Sequence, residues 1–264
     1  MNIFFRELRA NFKSLLIWSG IVILFSLVGF SKFSAYYNNP SMLALLDSMP
    51  PAMLSALSVS AFNLTTVSGF FGIMIVYFGL ILAIAATMWG SGVISKEERD
   101  KTVEFSLTLP VTRAKLITAK TAAMVVDCLI LLLITWGITL VGAQQYKPDS
   151  EFYRFVAIGI LSFLFLQMIF LALGIFLGCA LKKHKQSGSI GIWVLLGTYF
   201  LSILVGLNKD LDFLKYLTPF KYFDAGQLFH ENRLELTFVL LSVVIIAALM
   251  AGAYATYTKR DLYI

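Results

Sequence analysis

Charge is what this chain lacks. Asp, Glu, Lys and Arg make up 14% of its 264 residues, about half the share usual in soluble domains. From Ser48 to Ser95 there is none at all, and none from Phe155 to Leu181. A soluble helix needs a polar face, so runs of this length exclude an ordinary water-soluble core. An uncharged apolar stretch of about 18 residues or more is long enough to cross a bilayer. The chain therefore reads as an all-α integral membrane protein.

Other absences narrow the function. No Gly-x-x-x-x-Gly-Lys-Ser/Thr phosphate loop occurs, so the chain carries no nucleotide site of that kind. His230 and Glu231 open no zinc motif, because the second His of His-Glu-x-x-His is missing. No Ser/His/Asp set or carboxylate pair points to catalysis, and no segment between spans is long enough for a separate catalytic domain. Only two cysteines are present, Cys128 and Cys179. Both fall within expected spans, where buried inert thiols are the expectation rather than a disulfide. The net charge of +6 is no nucleic-acid signature, since the cations sit in short clusters beside apolar runs.

What is present divides into six expected spans, about Ser14–Ser31, Val67–Ile94, Thr118–Ala143, Phe155–Leu181, Gln186–Gly206 and Leu236–Tyr257. Ahead of the first, Phe5, Leu8, Phe12 and Leu15 recur at helical spacing beside Arg6, Arg9 and Lys13. That pattern predicts an amphipathic elbow helix on the membrane surface before the chain turns inward. An even number of spans puts both termini on one side. That side holds 14 of the 21 Lys and Arg residues and the other 7, so the termini are expected in the cytoplasm.

Three segments fall on the outer face. Residues 32–66 carry PSMLALLDSMPPAMLSALS, read as two short helices broken at Pro50 and Pro51. Residues 144–154 make a short turn. Residues 207–235 carry LDFLKYLTPFKYFDAGQ, whose aromatics suit interfacial anchoring as well as substrate contact, and Pro219 is expected to end a short helix. Inside the membrane, Asp127 is costly. It is either held by Lys120 or Lys115, kept protonated, or turned to a substrate path or a bundle partner. Gln167 is expected to hydrogen bond between helices. Gly174 and Gly178 permit close helix approach.

The most informative polar stretch is SKEERDKTVEFSLTLPVTRAKLITAK, Ser95 to Lys120, with ten charged residues. Val103, Phe105, Leu107 and Leu109 alternate, a pattern that does not by itself separate helix from strand. A strand would leave open edges, and a short helix fits between the bundle and another protein. Pro110 ends it, and Thr112 is placed to cap a helix leading into the third span.

This stretch resembles the signature of the membrane subunits of type-2 ATP-binding-cassette (ABC) exporters. Glu97, Thr102, Glu104, Leu107, Pro110, Val111, Thr112, Arg113 and Lys120 fill the pattern, with Lys101 where the family usually has Gly. LTPFKYFDA at Leu217–Ala225 resembles the family's Ser/Thr-Pro-Phe segment, and KRDLY at Lys259–Tyr263 its closing Arg-Asp. The resemblance covers essentially the whole chain, 1–264, as one permease domain. It implies a coupling helix in the loop 95–117, with Glu97, Glu98, Thr102, Val103, Glu104, Phe105, Leu107, Pro110 and Arg113 meeting a separate ABC ATPase. It further implies two ATPase copies carrying ATP and Mg, a second permease subunit (a homodimer before a heterodimer), and residence in the inner or plasma membrane. Alternating access would then export a hydrophobic or amphipathic peptide, drug or lipid. The alternatives are a secondary transporter or channel, or a peptide-immunity or sensing subunit without net transport. Inverted repeats with broken helices are not evident.

Overall fold

The computed structural model describes residues 3–39, 41, 48, 50, 54, 62–99, 112–181 and 184–259. Long helices dominate: α1 Ile3–Tyr36, α2 Val67–Arg99, α3 Arg113–Gln144, α4 Ser150–Ala180, α5 His184–Leu207 and α8 Leu236–Lys259. Between α5 and α8 lie a 3-10 helix, Lys209–Leu217, and two short helices, α6 Pro219–Tyr222 and α7 Ala225–Glu231. Six of these helices are long and apolar enough to cross a membrane. No strand occurs among the described residues.

The starts of the second, fifth and sixth spans coincide with those read from sequence; the first does not. No turn separates an amphipathic elbow from the first span, because residues 3–36 form one continuous helix. At about 1.5 Å per residue it is longer than the hydrocarbon layer of about 30 Å. Hydropathy marks only the lipid-facing part of such a helix. Backbone hydrogen bonding carries it on into polar surroundings without a break. The same reason starts α3 at Arg113 and α4 at Ser150, ahead of the expected span starts at Thr118 and Phe155.

α2 and α4 form the spine, and 61% of the most apolar stretch of each is buried, against 22% in α5 and 17% in α8. They run parallel: Phe71 meets Phe152 and Phe155, Phe78 meets Phe163, and Gly90 lies against Gly174. A Cβ at Gly174 would sit 2.5 Å from the Thr87 carbonyl oxygen, and one at Gly90 would run into the Leu171 carbonyl. Backbones this close gain dispersion contacts that lipid cannot supply. The Gly174–Gly178 pair is thus a true packing site, and Gly90 is its counterpart on α2. α1 packs chiefly on α3, α8 on α4, and α5 on α2.

With this up-and-down order, the starts of α1, α3 and α5 and the ends of α2, α4 and α8 share one end of the bundle, here the N-terminal end. At the far end, Phe33 stacks on Phe70 with centroids 4.7 Å apart and meets Tyr146 edge-on at 4.7 Å. The Tyr146 hydroxyl donates to the Phe30 carbonyl at 3.0 Å, and burial pushes that phenol up from its ordinary pKa.

Candidate functional site

The N-terminal end is fastened by polar contacts between helices. Thr112 caps α3 as its position predicts, its hydroxyl accepting from the Lys115 amide at 3.3 Å. The next residue, Arg113, donates from Nη1 to the carbonyls of Tyr257 at 3.2 Å and Thr258 at 3.4 Å. The last carbonyls of a helix have no partner within it, and the helix dipole favours a cation there. Arg113 therefore fixes the start of α3 to the end of α8. The hydroxyls of Thr118 and Tyr254, 2.7 Å apart, repeat the link one turn further in. On the other side, buried Lys120 donates to the Val93 carbonyl at 2.7 Å and ties α3 to α2. Both helices that flank the loop are thus anchored where the loop begins and ends.

Of the residues read as a coupling element, Arg113 is the first residue of α3. Glu97 and Glu98 fall in the last turn of α2. Thr102, Val103, Glu104, Phe105, Leu107 and Pro110 lie outside the described residues.

Asp127 is buried, and its carboxylate accepts from Asn11 Nδ2 at 2.6 Å. Neither Lys120 nor Lys115 serves it. Lys120 precedes Asp127 by two turns, about 10 Å along the axis, and helical side chains lean toward the N-terminus. Lys120 is therefore carried away from Asp127 and toward α2. Gln167 also departs from expectation: it is fully buried, yet neither its Nε2 nor its Oε1 has a hydrogen-bond partner. The parallel register of α2 and α4 sets it level with Leu82 and Ala83, which bring no polar side chain.

At the far end, a cavity of about 80 Å³ is bounded by α2 at Gly79, α4 at Ser162, α5 at Tyr199 and Ser202, and the segment holding Lys221 and Asp224. Lys221 Nζ pairs with Asp224 at 2.8 Å, and Asp224 also caps α7 through the Gly226 amide at 3.0 Å. Thr218 donates to the Thr198 carbonyl at 2.8 Å, and Tyr222 stacks on Phe238 at 5.2 Å. Burial raises the Tyr222 phenol pKa. LTPFKYFDA is therefore more than an interfacial anchor: it folds back into the bundle. Pro219 begins α6, directly after the 3-10 helix ends at Leu217. Among the described residues, no group of His, Cys, Asp and Glu converges as a metal site, and Cys128 and Cys179 are buried thiols.

The family model described as ABC-2 family transporter protein matches residues 1–262. The chain belongs to the ABC-2 transporter family. A comparison with curated proteins finds no match.

In this ABC-2 permease, Arg113, from the loop signature, reaches the end of α8 at Tyr257 and Thr258; Arg260 to Tyr263 of the closing KRDLY lie outside the described residues. Sequence reasoning named Arg113 but not its acceptors, which are backbone carbonyls and leave no residue signature. It missed Asn11 entirely. The available signal was an amide on the predicted amphipathic helix, aligned with Glu7 and Ser14 on one helical face.

Proposed function

We propose that this ABC-2 permease is the membrane half of an exporter driven by a separate ABC ATPase that docks on the segment 95–117, whose two ends are the end of α2 and the start of α3. The observation that carries this reading is the Arg113 clasp. A force on the loop reaches α2 and α3 directly, and through Arg113 it reaches α8. ATP and Mg reside on the ATPase, of which two copies serve two permease chains, and this chain performs no hydrolysis. Glu97, Glu98 and Glu104 give the docking element its acidic side chains, while Val103, Phe105 and Leu107 supply apolar ones. The N-terminal end is cytoplasmic, in keeping with its excess of basic residues, and the membrane is the inner or plasma membrane. The amphipathic first turns of α1 lie at the cytoplasmic interface and do the work of an elbow without a break in the helix.

Two like chains meet along the thinly covered α5. Its exposed early turns, with Gly188, Ser189 and Trp193, form an open apolar groove against Met88 and Ser91 of α2. Alternating access between the two halves then moves a hydrophobic or amphipathic substrate outward, with the Lys221–Asp224 segment closing the far end. Co-purification with an ATPase and nucleotide-dependent transport in vesicles test the reading. Reversing Glu97, Glu98 and Glu104 to Lys is expected to abolish both ATPase binding and transport while membrane insertion persists. Normal ATPase binding and transport by that variant would refute the docking assignment.

A further inference from the structure

A crevice of about 270 Å³ opens at the N-terminal end between α1 and α2, beside Met124 of α3. Liquid water occupies about 30 Å³ per molecule, so the space suits a headgroup rather than one or two waters. Glu7, Asn11 and Ser14 line its α1 wall, at helical spacings that place them on one face. Trp89, Gly92 and Lys96 line the α2 wall. The last charge before the apolar run of α1 is Lys13 and the first after that of α2 is Lys96, which puts the crevice beside the polar ends of both runs, at headgroup depth.

The lining is chemically two-sided. Glu7 is only 7% exposed. Arg6 engages its Oε1 through Nε at 3.3 Å and Nη2 at 3.0 Å, which leaves Oε2 as an acceptor. Asn11 spends its amide N–H on Asp127, so its Oδ1 remains as a second acceptor. Trp89 Nε1 donates to Ser14 Oγ at 2.8 Å and holds that wall in place. Lys96 makes no ion pair among the described residues. With Glu7 paired to Arg6, the α1 wall offers acceptor oxygens and the α2 wall a cation, and a zwitterion whose ammonium carries N–H groups answers both.

We propose that this crevice binds the phosphoethanolamine headgroup of a phospholipid, its ammonium donating to Glu7 and Asn11 and its phosphate meeting Lys96. The N–H groups are essential, because a quaternary choline has none to give these acceptors. The site goes beyond the transport reading and stands whether or not the lipid is cargo.

The test uses the delipidated full chain in detergent. Phosphatidylethanolamine, phosphatidylcholine and phosphatidylglycerol are added back at equal concentration, and retained lipid is read by native mass spectrometry. Wild type is expected to retain phosphatidylethanolamine about tenfold over the other two, the factor that one charge-assisted hydrogen bond supplies. Glu7→Gln should erase most of that preference, and Lys96→Gln should lower retention of all three lipids together. Gly92→Phe should erase it by filling the space, since a Cβ at Gly92 meets nothing within 4 Å and the helix tolerates a side chain there. This variant keeps the test decisive should Glu7→Gln fail to fold. Equal retention of the three lipids by wild type would overturn the proposal, as would an undiminished preference in folded Gly92→Phe. Retention of a long-chain alkylamine as strong as that of phosphatidylethanolamine would overturn the phosphate contact and with it the headgroup assignment.

Discussion

The two ends of the bundle are held by different forces. At the N-terminal end, helices are joined by single directed polar contacts: Arg113 to the α8 carbonyls, Lys120 to the Val93 carbonyl, and Asn11 to Asp127. At the far end, rings are gathered as well, with Phe33, Phe70 and Tyr146 in one cluster and Tyr222 against Phe238 in another, beside the hydrogen bonds of Tyr146 to Phe30 and Thr218 to Thr198. A hydrogen bond weakens steeply when its angle falls away, whereas ring packing tolerates a range of offsets. The polar end is therefore suited to pass on a displacement, and the aromatic end to absorb one. Between them, the spine of α2 and α4 belongs to both.

That contrast can be broken in stages. Gly174→Leu attacks the spine by driving a side chain into the Thr87 carbonyl. It should cost more than the roughly 1–3 kcal/mol of ordinary overpacking, because rigid backbone and not a side chain must yield. Little folded protein is expected by size-exclusion chromatography in detergent. Phe33→Ala comes next, with a loss of about 2–3 kcal/mol. This is below the usual cost of truncating a buried Phe, since lipid tails refill part of the apolar contact. It should lower the melting temperature while nucleotide-driven transport per folded molecule survives.

Arg113→Ala sharpens the comparison. Its stability loss is expected to be only about 1 kcal/mol, yet transport should fall several-fold with ATPase binding intact, and Arg113→Lys should restore part of it. A variant in which binding and transport fall together would make Arg113 part of the docking surface instead. Smallest of all is Asp127→Asn. The Asn11 amide can still donate to the new carbonyl oxygen, so stability should change by less than about 1 kcal/mol, and transport should stay near wild type. A large transport defect with unchanged melting would return Asp127 to a substrate path.

The local features were legible in the residues. Val67, Gln186 and Leu236 were read correctly as the starts of spans, because an uncharged run of fixed length permits little else. Thr112 was read correctly as a cap, because its hydroxyl serves amides only a turn away. The partner of Arg113, the pairing of Asp127 with Asn11 and the stranded amide of Gln167 were not legible. Each depends on the register between helices distant in sequence. In a span that is apolar all round, no hydrophobic stripe reveals which face meets which neighbour.

The sequence alone thus decided the number and type of the long helices and the family signature, because these rest on composition and on spacing within a few turns. Tertiary structure decided that α2 and α4 form the spine, that Gly90 answers Gly174, and that Arg113 closes on α8. Such contacts are chosen by which backbones can approach most closely once every span is already buried in lipid. That choice is a matter of shape between helices and is written in no single one of them.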